Sequence, residues 1–587
     1  MTMKKIMALL LALCMLLALV ACSGGGSSTA PEEKKESSTA EEKTDDPASE
    51  AKTEETNTAE TDGPLAGIEK LEGWDDPITF KFFLRDPNTA PDKNNPVLQK
   101  ITEMTGVTIE WEFLVGELDQ KLGVMIAGGD YPDAIFAGDS CTKLIDAGAF
   151  IPLEDKIKDY ETLWDHYGPH EEKMTASDGH IYILELYGIH DKDKAPPTFN
   201  NTASGFYMQK AVIEDAGYKI PKTIDEYFDM IEAYQEKNPE IDGVKTIGFE
   251  VLSDGWRAFC LTNPAMHLMG YGNDGNLAVD QDTFEAFTYH TSDTAKTYYK
   301  KLNDEYHKGI IEPETFTQSY DQYTSRISSG AVLGFFDQQW NFSSAENLLK
   351  NDGKSERTYV SVPLANEGVA DSYLDAATGD GTGINGQGIT VNCENPERLL
   401  AFFDWLLQEE VQKYLQWGEE GVDYIQRDDG DRELTPERAA INNDTAQKRD
   451  LTGDTLWNYT PKRQGLYDDG SPCGPGASVA EFQANQTDYD KDFLDNCGIQ
   501  YPAELLSAPT ERPKYYPVWA MNIPDGSPAK VAETKMMDTC YKYLPRVVLS
   551  EEGQFDALWD EFVAEVESGD PSPYLEEVNK QIKAAMG

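Results

Sequence analysis

Basic residues are scarce in this chain of 587 residues. Lysine and arginine number 50 against 105 aspartates and glutamates, which leaves a formal net charge of -55 at pH 7. Nucleic-acid binding relies on lysine and arginine to replace the counterions of the phosphates, so this balance argues against a nucleic-acid partner. The negative charge instead keeps a protein soluble near an anionic cell surface.

Histidine and cysteine are also few, at 7 and 8 residues. The histidines are dispersed and form no His-Glu-x-x-His pair, so the sequence gives no basis for a zinc-dependent catalyst. The cysteines form no Cys-x-x-Cys pair, which argues against a metal or redox framework. We therefore predict neither a metal nor a cofactor. On the oxidising side of a membrane, the one disulfide that proximity along the chain favours joins Cys473 and Cys497, and this pairing stays open.

Long apolar sequence is limited to the beginning of the chain. Lys4 and Lys5 precede an apolar run over residues 6–20, which is shorter than the roughly 20 residues that a membrane-spanning helix needs. This pattern is typical of a secretory signal peptide, which we place at residues 1–21. The run ends in Leu-Val-Ala-Cys, which resembles a bacterial lipobox and implies cleavage before Cys22 and a lipid on Cys22. The alternative is an ordinary signal peptide that is cut near this residue.

Large side chains are missing from the next segment. Residues 23–62 contain no aromatic residue and no Leu, Ile, Val or Met. Such a composition cannot bury enough apolar surface to fold. We therefore predict a disordered tether over residues 22–72, with a typical reach of roughly 35 Å. The globular body is predicted to start near Gly73.

The globular body begins with alternating strands and helices. The patterns predict a strand at Ile78–Leu84, a helix at Pro96–Thr105 that Gly106 ends, and a strand at Val107–Phe113. Two strands around a helix form a βαβ unit, which indicates an α/β fold with a largely parallel core. Similar patterns predict further strands at residues 204–208, 246–251 and 331–336, and one long helix at residues 397–417.

Several patterns suggest other activities, and each falls short. Residues 381–386 spell Gly-x-Gly-x-x-Gly, but this segment precedes a predicted strand, whereas a dinucleotide site follows one. Residues 488–492 begin like a calcium loop but lack its turn glycine and final glutamate, so they predict a solvated acidic loop or at most a weak surface ion. With 105 acidic residues, paired carboxylates arise by chance, so a secreted glycoside hydrolase is a weaker alternative. No repeat supports an adhesin.

The order of several short segments carries a family resemblance. The chain contains, in this order, AGGDYPDAIF, GFYMQKAVIEDAGYKIPKTIDEYFDMI, GAVLGFFDQQW and NPERLLAFFDWLLQEEVQKYLQWGEEGVDY. This order resembles the extracellular solute-binding proteins of carbohydrate ABC importers, and more narrowly their long lipoprotein branch in Gram-positive bacteria. The match runs from Ile78 to about Tyr424, and residues 426–548 match poorly.

The resemblance implies two α/β lobes, each a βαβ-built sheet flanked by helices, joined by crossing hinge segments. Lobe one would comprise residues 73–190 and 371–425, lobe two residues 191–370 and 426–548, and residues 549–587 would form C-terminal helices that pack on the lobes. The resemblance also implies a monomer, not an enzyme, that captures a sugar or oligosaccharide between the lobes. It would deliver this ligand to the permease subunits of an importer at the extracellular face of the membrane. A peptide or another small polar ligand remains an alternative.

Sugar recognition needs aromatic rings that stack on a pyranose and polar groups that bind its hydroxyls. Loops that follow buried strands are the expected place for both, and the family has aromatic and acidic residues there. The predicted ligand-binding residues are Arg85, Asp86, Phe136, Asp139, Tyr207, Trp256, Asp337, Trp340 and, in the poorly matching region, Trp519. Strand-end context and family position favour a ligand contact for Trp340 over the alternative that its ring only packs against helices.

Overall fold

The computed structural model describes residues 63–587, except for residues 177, 191, 375–381 and 510–512. The predicted signal peptide, the predicted lipid site at Cys22 and most of the predicted tether lie outside the described residues, and so do the side chains of Asp139 and Lys192. In the described part of the chain, no helix combines the length and the apolar character that a membrane crossing requires.

The first of two main sheets has five strands, in the spatial order Val107–Phe113, Ile78–Leu84, Ala134–Phe136, Gly386–Ile389 and Ile183–Glu185. The first three run parallel, with Phe82 opposite Trp111 and Phe83 opposite Ile135. The other two are antiparallel to their neighbours. The chain therefore returns to this sheet at residue 386, after it has built the second sheet.

Caps at both ends define the first helix of this sheet. The Asn95 side chain accepts hydrogen bonds from the amides of Val97 at 3.0 Å and Leu98 at 3.1 Å, which satisfies two of the free N–H groups at the helix start. At the other end, Gly106 has a φ of 68° and closes the helix in the left-handed conformation. A Cβ at Gly106 would lie 2.4 Å from the carbonyl oxygen of Trp74, so only glycine fits this turn.

The second sheet is antiparallel. Its strands pair in the order Gly334–Gln338, Ser204–Gln209 and Tyr359–Val362, with Ser204 opposite Gln338. The predicted strand at residues 246–251 forms only single parallel bridges, such as the one between Ile247 and Val332. The prediction of a largely parallel core is therefore wrong for the three strands of this sheet and holds for only three strands of the first.

The predicted long helix at residues 397–417 is two helices, Pro396–Leu406 and Glu409–Gln416. Between them, Gln408 has extended dihedral angles, with φ at -56° and ψ at 136°. A side chain replaces a lost helical bond at the break, because Gln412 Nε2 donates to the carbonyl of Leu406 at 2.7 Å. The apolar spacing hides this break because both helices bury their apolar residues in the same core.

Residues 488–492 are not a loop but the start of the helix Asp488–Cys497. The side chains of Thr487 and Asp490 cap this helix reciprocally. Asp490 Oδ1 also lies 2.5 Å from Lys210 Nζ, and both side chains are buried. The prediction of a solvated acidic loop is therefore wrong, and this carboxylate is held by an internal partner rather than left free for a surface ion.

None of the six cysteines in the described part of the chain forms a disulfide. Cys473 is buried and lies 3.6 Å from the carbonyl oxygen of Gln464, towards which its thiol points. The pairing with Cys497 that proximity along the chain favours is therefore not formed.

The chain ends in three helices, Pro528–Val548, Phe555–Ser568 and Ser572–Met586. They pack into the core of the second sheet, where the Trp559 ring lies 6.1 Å from that of Tyr299. This C-terminal packing begins at Pro528, within the region that matches the family pattern poorly.

The remaining α-helices of the described chain are Leu118–Gly128, Cys141–Asp146, Glu161–Tyr167, Glu171–Met174, Lys210–Asp215, Ile224–Lys237, Phe259–Thr262, Pro264–Leu268, Asp293–Lys308, Tyr320–Ser328, Gln339–Asn351, Pro436–Asn443, Thr445–Leu451, Asp454–Tyr459 and Val479–Ala484. Short two-stranded ladders join Glu240–Ile241 to Val244–Lys245, Ala278–Val279 to Ala286–Phe287, and Tyr424–Gln426 to Arg432–Leu434.

Candidate functional site

Arg85, Asp86 and Phe136 lie together where two parallel strands of the first sheet end. The guanidinium carbon of Arg85 is 5.2 Å from the centre of the Phe136 ring, and its Nε is 3.7 Å from Oδ1 of Asp86. The backbone amide of Arg85 donates to the carbonyl of Phe136 at 2.9 Å, which holds the two loops side by side. Partial burial, which outweighs the opposing effect of Arg85, raises the pKa of the Asp86 carboxyl.

Two tyrosines complete this edge, and sequence reasoning missed both. The Tyr459 hydroxyl donates to Asp86 Oδ2 at 3.3 Å, and its ring centre is 6.0 Å from that of Phe136. The Tyr187 ring is 6.4 Å from that of Phe136 and 37% exposed. The sequence holds a signal for Tyr187, because this residue closely follows the strand Ile183–Glu185, just as Arg85 follows the strand Ile78–Leu84. Tyr459 had no such signal, because it comes from the region that matches the family pattern poorly.

Lys462 lies behind Tyr187. Its ammonium nitrogen is 3.9 Å from the centre of the Tyr187 ring and 4.0 Å from that of Trp457, and the residue is 1% exposed. Within the described residues, this nitrogen has no hydrogen-bond partner. Burial lowers the pKa of Lys462 to about 7, although Asp454 and Glu185 oppose this shift. The two aromatic faces therefore add to the stabilisation that Asp454 and Glu185 give the ammonium.

Trp256 and Trp340 form a second group, at the end of the second sheet, which we name the tryptophan platform. Their ring centres are 5.7 Å apart and their planes differ by 13°. The two residues are 63% and 49% exposed. The Arg257 guanidinium covers part of this platform, 4.4 Å from the centre of the Trp256 ring. Two large rings that are stacked and open to solvent offer a flat apolar surface to a ligand.

Asp337 is fully buried, which differs from its predicted position on a ligand-binding surface. Its carboxylate accepts hydrogen bonds from the Tyr323 hydroxyl at 2.8 Å and from the Asn341 amide at 3.0 Å. Burial raises the pKa of Asp337 to about 6. The carboxylate therefore orders the turn that carries Trp340 and presents no surface to a ligand.

Tyr207 is also buried. Its ring centre is 5.8 Å from that of Phe335, and its hydroxyl donates to the carbonyl of Asn201 at 2.9 Å. As with Asp337, a position near a strand end does not reveal whether another element covers the side chain. In this conformation we therefore no longer count either residue as a direct ligand contact.

Trp519 is 42% exposed and packs against Gly275. A Cβ at Gly275 would lie 2.9 Å from the Cβ of Trp519, and Gly275 has a φ of 101°, so this close approach depends on glycine. The next residue, Ala520, packs against a core cluster of the first sheet. Trp519 is therefore part of neither the group around Arg85 nor the tryptophan platform, and its ligand contact stays a prediction. The side chain of Asp139 lies outside the described residues, so its role also stays a prediction.

Candidate metal sites are absent from the described residues, where no group of three or more His, Cys, Asp or Glu side chains could hold an ion.

A partly parallel sheet and an antiparallel sheet, each with exposed aromatic rings near one end, define a two-lobed binding protein. The chain belongs to the bacterial extracellular solute-binding proteins, because the model of this family matches residues 97–418. The resemblance in the sequence and the two-lobed α/β class are thus confirmed.

Named relatives add detail to this assignment. The chain is 30% identical over 275 residues to the fructooligosaccharide ABC transporter substrate-binding protein FusA of Streptococcus pneumoniae, covering 44% of this chain and 50% of FusA. It is 24% identical over 348 residues to the polygalacturonan/rhamnogalacturonan-binding protein YtcQ of Bacillus subtilis, covering 58% of this chain and 65% of YtcQ. The matched part is thus less than two thirds of the length of either relative.

Comparison with a solved structure extends the match in fold over most of the chain. The structure of FusA in complex with kestose has a TM-score of 0.59 and 22% sequence identity, and the comparison covers 86% of this chain and 99% of that one. At this identity the likeness supports the fold rather than the ligand.

Proposed function

We propose that this protein binds a neutral sugar or oligosaccharide on the tryptophan platform and delivers it to the permease subunits of an ABC importer. The observation that carries the proposal is the stacked and exposed pair of Trp256 and Trp340. The apolar face of a pyranose packs on such rings and leaves its hydroxyls free for polar contacts. The net charge of -55 disfavours an acidic sugar, which it would repel.

The edge of the first sheet supplies polar groups that the platform lacks. Arg85, Asp86 and Tyr187 bring donors and acceptors together with an exposed ring. We place this edge on the opposite side of the ligand, as the second wall of a cleft between the two lobes. Polar groups on one wall and rings on the other would fix both the orientation and the plane of a sugar.

The named relatives support the carbohydrate class. The name of FusA specifies a fructooligosaccharide, and the name of YtcQ specifies polygalacturonan and rhamnogalacturonan. These ligands differ from each other, so the relatives do not choose the sugar. In this proposal the protein binds its ligand reversibly and is not an enzyme, so the sugar is released unchanged.

The proposal places the protein at the extracellular face of the cell membrane. The lipobox-like sequence supports removal of residues 1–21 and a lipid on Cys22, and the composition of residues 23–62 supports a flexible tether of roughly 35 Å reach. The body would act as a monomer, with lobe one at residues 73–190 and 371–425 and lobe two at residues 191–370 and 426–548. A reach of this length would let the body approach the importer without leaving the membrane.

A thermal-shift screen tests the ligand class. The panel consists of neutral oligosaccharides of fructose, glucose and galactose, with uronic-acid oligosaccharides and short peptides as controls. A ligand that binds only the folded state stabilises it by RT ln(1 + [L]/Kd), which is about 2.7 kcal/mol at a hundredfold excess over Kd. We expect stabilisation by at least one neutral series and by no peptide. Stabilisation by peptides alone would contradict the proposal, and shortening of a bound sugar in a product assay would identify a hydrolase instead.

A further inference from the structure

A second cavity lies beside the helix Gln339–Asn351. It has a volume of about 360 Å³ and is bounded on the other side by residues of the region 434–502. That opposite wall lies wholly outside the matched family segment at residues 97–418. We name this cavity the lateral groove.

The lateral groove begins beside the tryptophan platform. Gln339, which lines the groove, directly precedes Trp340 in the chain. The Trp340 indole is in turn bonded to Gln338, at 2.5 Å. From Gln339, the groove follows the helix to Lys350, a distance of roughly 16 Å at 1.5 Å per residue. The platform and the groove therefore meet at the first turn of this helix, where consecutive side chains leave the helix about 100° apart.

The charged residues that line the middle of the groove are already engaged within the protein. Lys210 is paired with Asp490 at 2.5 Å. Glu346 accepts a hydrogen bond from the amide of Tyr359 at 3.0 Å, and Glu481 accepts one from the amide of Leu434 at 2.5 Å. Each of these charges therefore already has an internal partner, whereas Lys350 at the far end is exposed and forms no ion pair within the described chain.

Neutral amides, by contrast, are left open in the groove. The side chains of Asn200, Gln339 and Asn443 line it and make no hydrogen bond within the described part of the chain. Phe199 and Phe482 add an apolar surface, with ring centres 4.8 Å apart and planes 17° apart. Free amides beside stacked rings suit an uncharged ligand that has both hydroxyl groups and apolar faces.

The volume indicates more than one ring. A cavity of about 150 Å³ holds one benzene molecule, so about 360 Å³ accommodates roughly two six-membered rings. This space is additional to the surface of the tryptophan platform.

We infer that the lateral groove is a second subsite, which binds the further units of a linear neutral oligosaccharide whose first unit stacks on the tryptophan platform. The ligand is then at least a trisaccharide. This inference rests on the proposed function, because the platform must bind the first unit.

Titration calorimetry on the full-length protein with homologous series tests the inference. The probes are the neutral monosaccharides fructose, glucose and galactose and their tri- and tetrasaccharides. We expect the affinity in at least one series to rise at least tenfold from the monosaccharide to the tetrasaccharide. In the variant with both Gln339→Ala and Asn443→Ala, we expect this gain to vanish while monosaccharide affinity changes less than threefold. The control Asn94→Ala removes an exposed amide of the first lobe and should keep the full gain.

The possible results separate the two hypotheses. Two results overturn the assignment of the lateral groove as a subsite and leave the proposed function intact. One is an affinity that does not depend on chain length, and the other is a double variant that keeps the gain. A double variant that loses all lengths equally also overturns the groove assignment, because the residues then act on the first unit. If none of the oligosaccharides binds, the proposed function itself fails, and the groove assignment fails with it.

Discussion

The indole nitrogen of Trp340 donates a hydrogen bond of 2.5 Å to Oε1 of Gln338, within the same turn between strand and helix. Trp256 covers one face of the same ring by stacking on it. The ring is therefore held at its edge and on one side before any ligand arrives. A ligand that binds the platform does not have to immobilise these side chains, which is a direct gain in affinity.

The first prediction concerns this ring. Trp340→Ala should weaken the best oligosaccharide ligand at least thirtyfold, because truncation of an aromatic anchor commonly costs about 2 kcal/mol or more. The melting temperature should fall only slightly, since the ring is 49% exposed and loses mainly one aromatic contact. Calorimetric titration and thermal melts of the same variant measure both effects.

Trp74 provides the matched control for this prediction. Trp74 is 36% exposed and lies under the Lys70 ammonium at 3.9 Å, away from the platform. Trp74→Ala should leave the affinity within twofold. If Trp340→Ala lowers the melting temperature strongly and keeps its affinity, the ring has a packing role and the platform is not the binding surface.

The second prediction concerns the buried pair of Lys210 and Asp490. Asp490→Ala leaves the Lys210 ammonium in the interior without its partner, so we expect a loss of about 3–5 kcal/mol in the free energy of unfolding. Replacing both residues by apolar ones, as Lys210→Met with Asp490→Leu, should recover most of this loss. Urea unfolding of the three proteins measures it.

An exposed ion pair gives the comparison for this experiment. Asp556 lies 2.9 Å from Lys296 but is 79% exposed, so Asp556→Ala should cost less than about 1 kcal/mol. Equal losses for Asp490→Ala and Asp556→Ala would mean that burial does not set the energy of the Lys210 pair.

The third prediction concerns attachment to the membrane. Cys22→Ser should yield a folded protein that is released into the medium, because the proposed lipid is its anchor and no helix of the described residues is long and apolar enough to cross a membrane. Metabolic labelling with a fatty acid, followed by fractionation, measures both lipid and location. A variant that stays as firmly bound as the parent would show that Cys22 is not the anchor.

Local patterns were enough to predict the first two strands of the first sheet and the helix between them. The strands at Ile78–Leu84 and Val107–Phe113 and the helix between them have the predicted bounds, because alternation and caps act over a few residues. The second sheet was predicted less well. Its pairing depends on contacts between distant segments, such as Ser204 with Gln338, and sequence periodicity does not encode the direction of such a pair.

The candidate site shows the same limit. The rule that ligands meet the ends of strands singled out Trp256 and Trp340, whose rings are exposed, but it could not foresee that they stack on each other. It also selected Asp337, whose burial depends on hydrogen bonds from Tyr323 and Asn341 on separate helices. Tyr459 reaches Asp86 across 373 positions of sequence, and no local signal marks such a contact.

The last prediction concerns Lys462, whose ammonium is enclosed by Tyr187 and Trp457. Burial lowers its pKa in the folded protein to about 7, whereas the unfolded chain releases this proton near pH 10.4. Between these values the unfolded state binds more protons, so the stability of the parent protein should rise with pH, by up to about 1.4 kcal/mol per unit. Lys462→Met removes this contribution, and the variant should be more stable than the parent at pH 6.5, with the difference shrinking towards pH 9.

Urea unfolding of both proteins at pH 6.5, 7.5, 8.5 and 9 tests this expectation, since every other titrating group contributes equally to the two curves. Lys413→Met is the control, because Lys413 also faces a tyrosine ring, Tyr467 at 5.2 Å, but is paired with Glu409 at 2.7 Å. Its difference from the parent should not shrink over this range, since a paired ammonium stays charged in both states. Parallel curves for the parent and Lys462→Met would mean that the Lys462 ammonium keeps its proton in the folded protein up to pH 9, held there by the two rings.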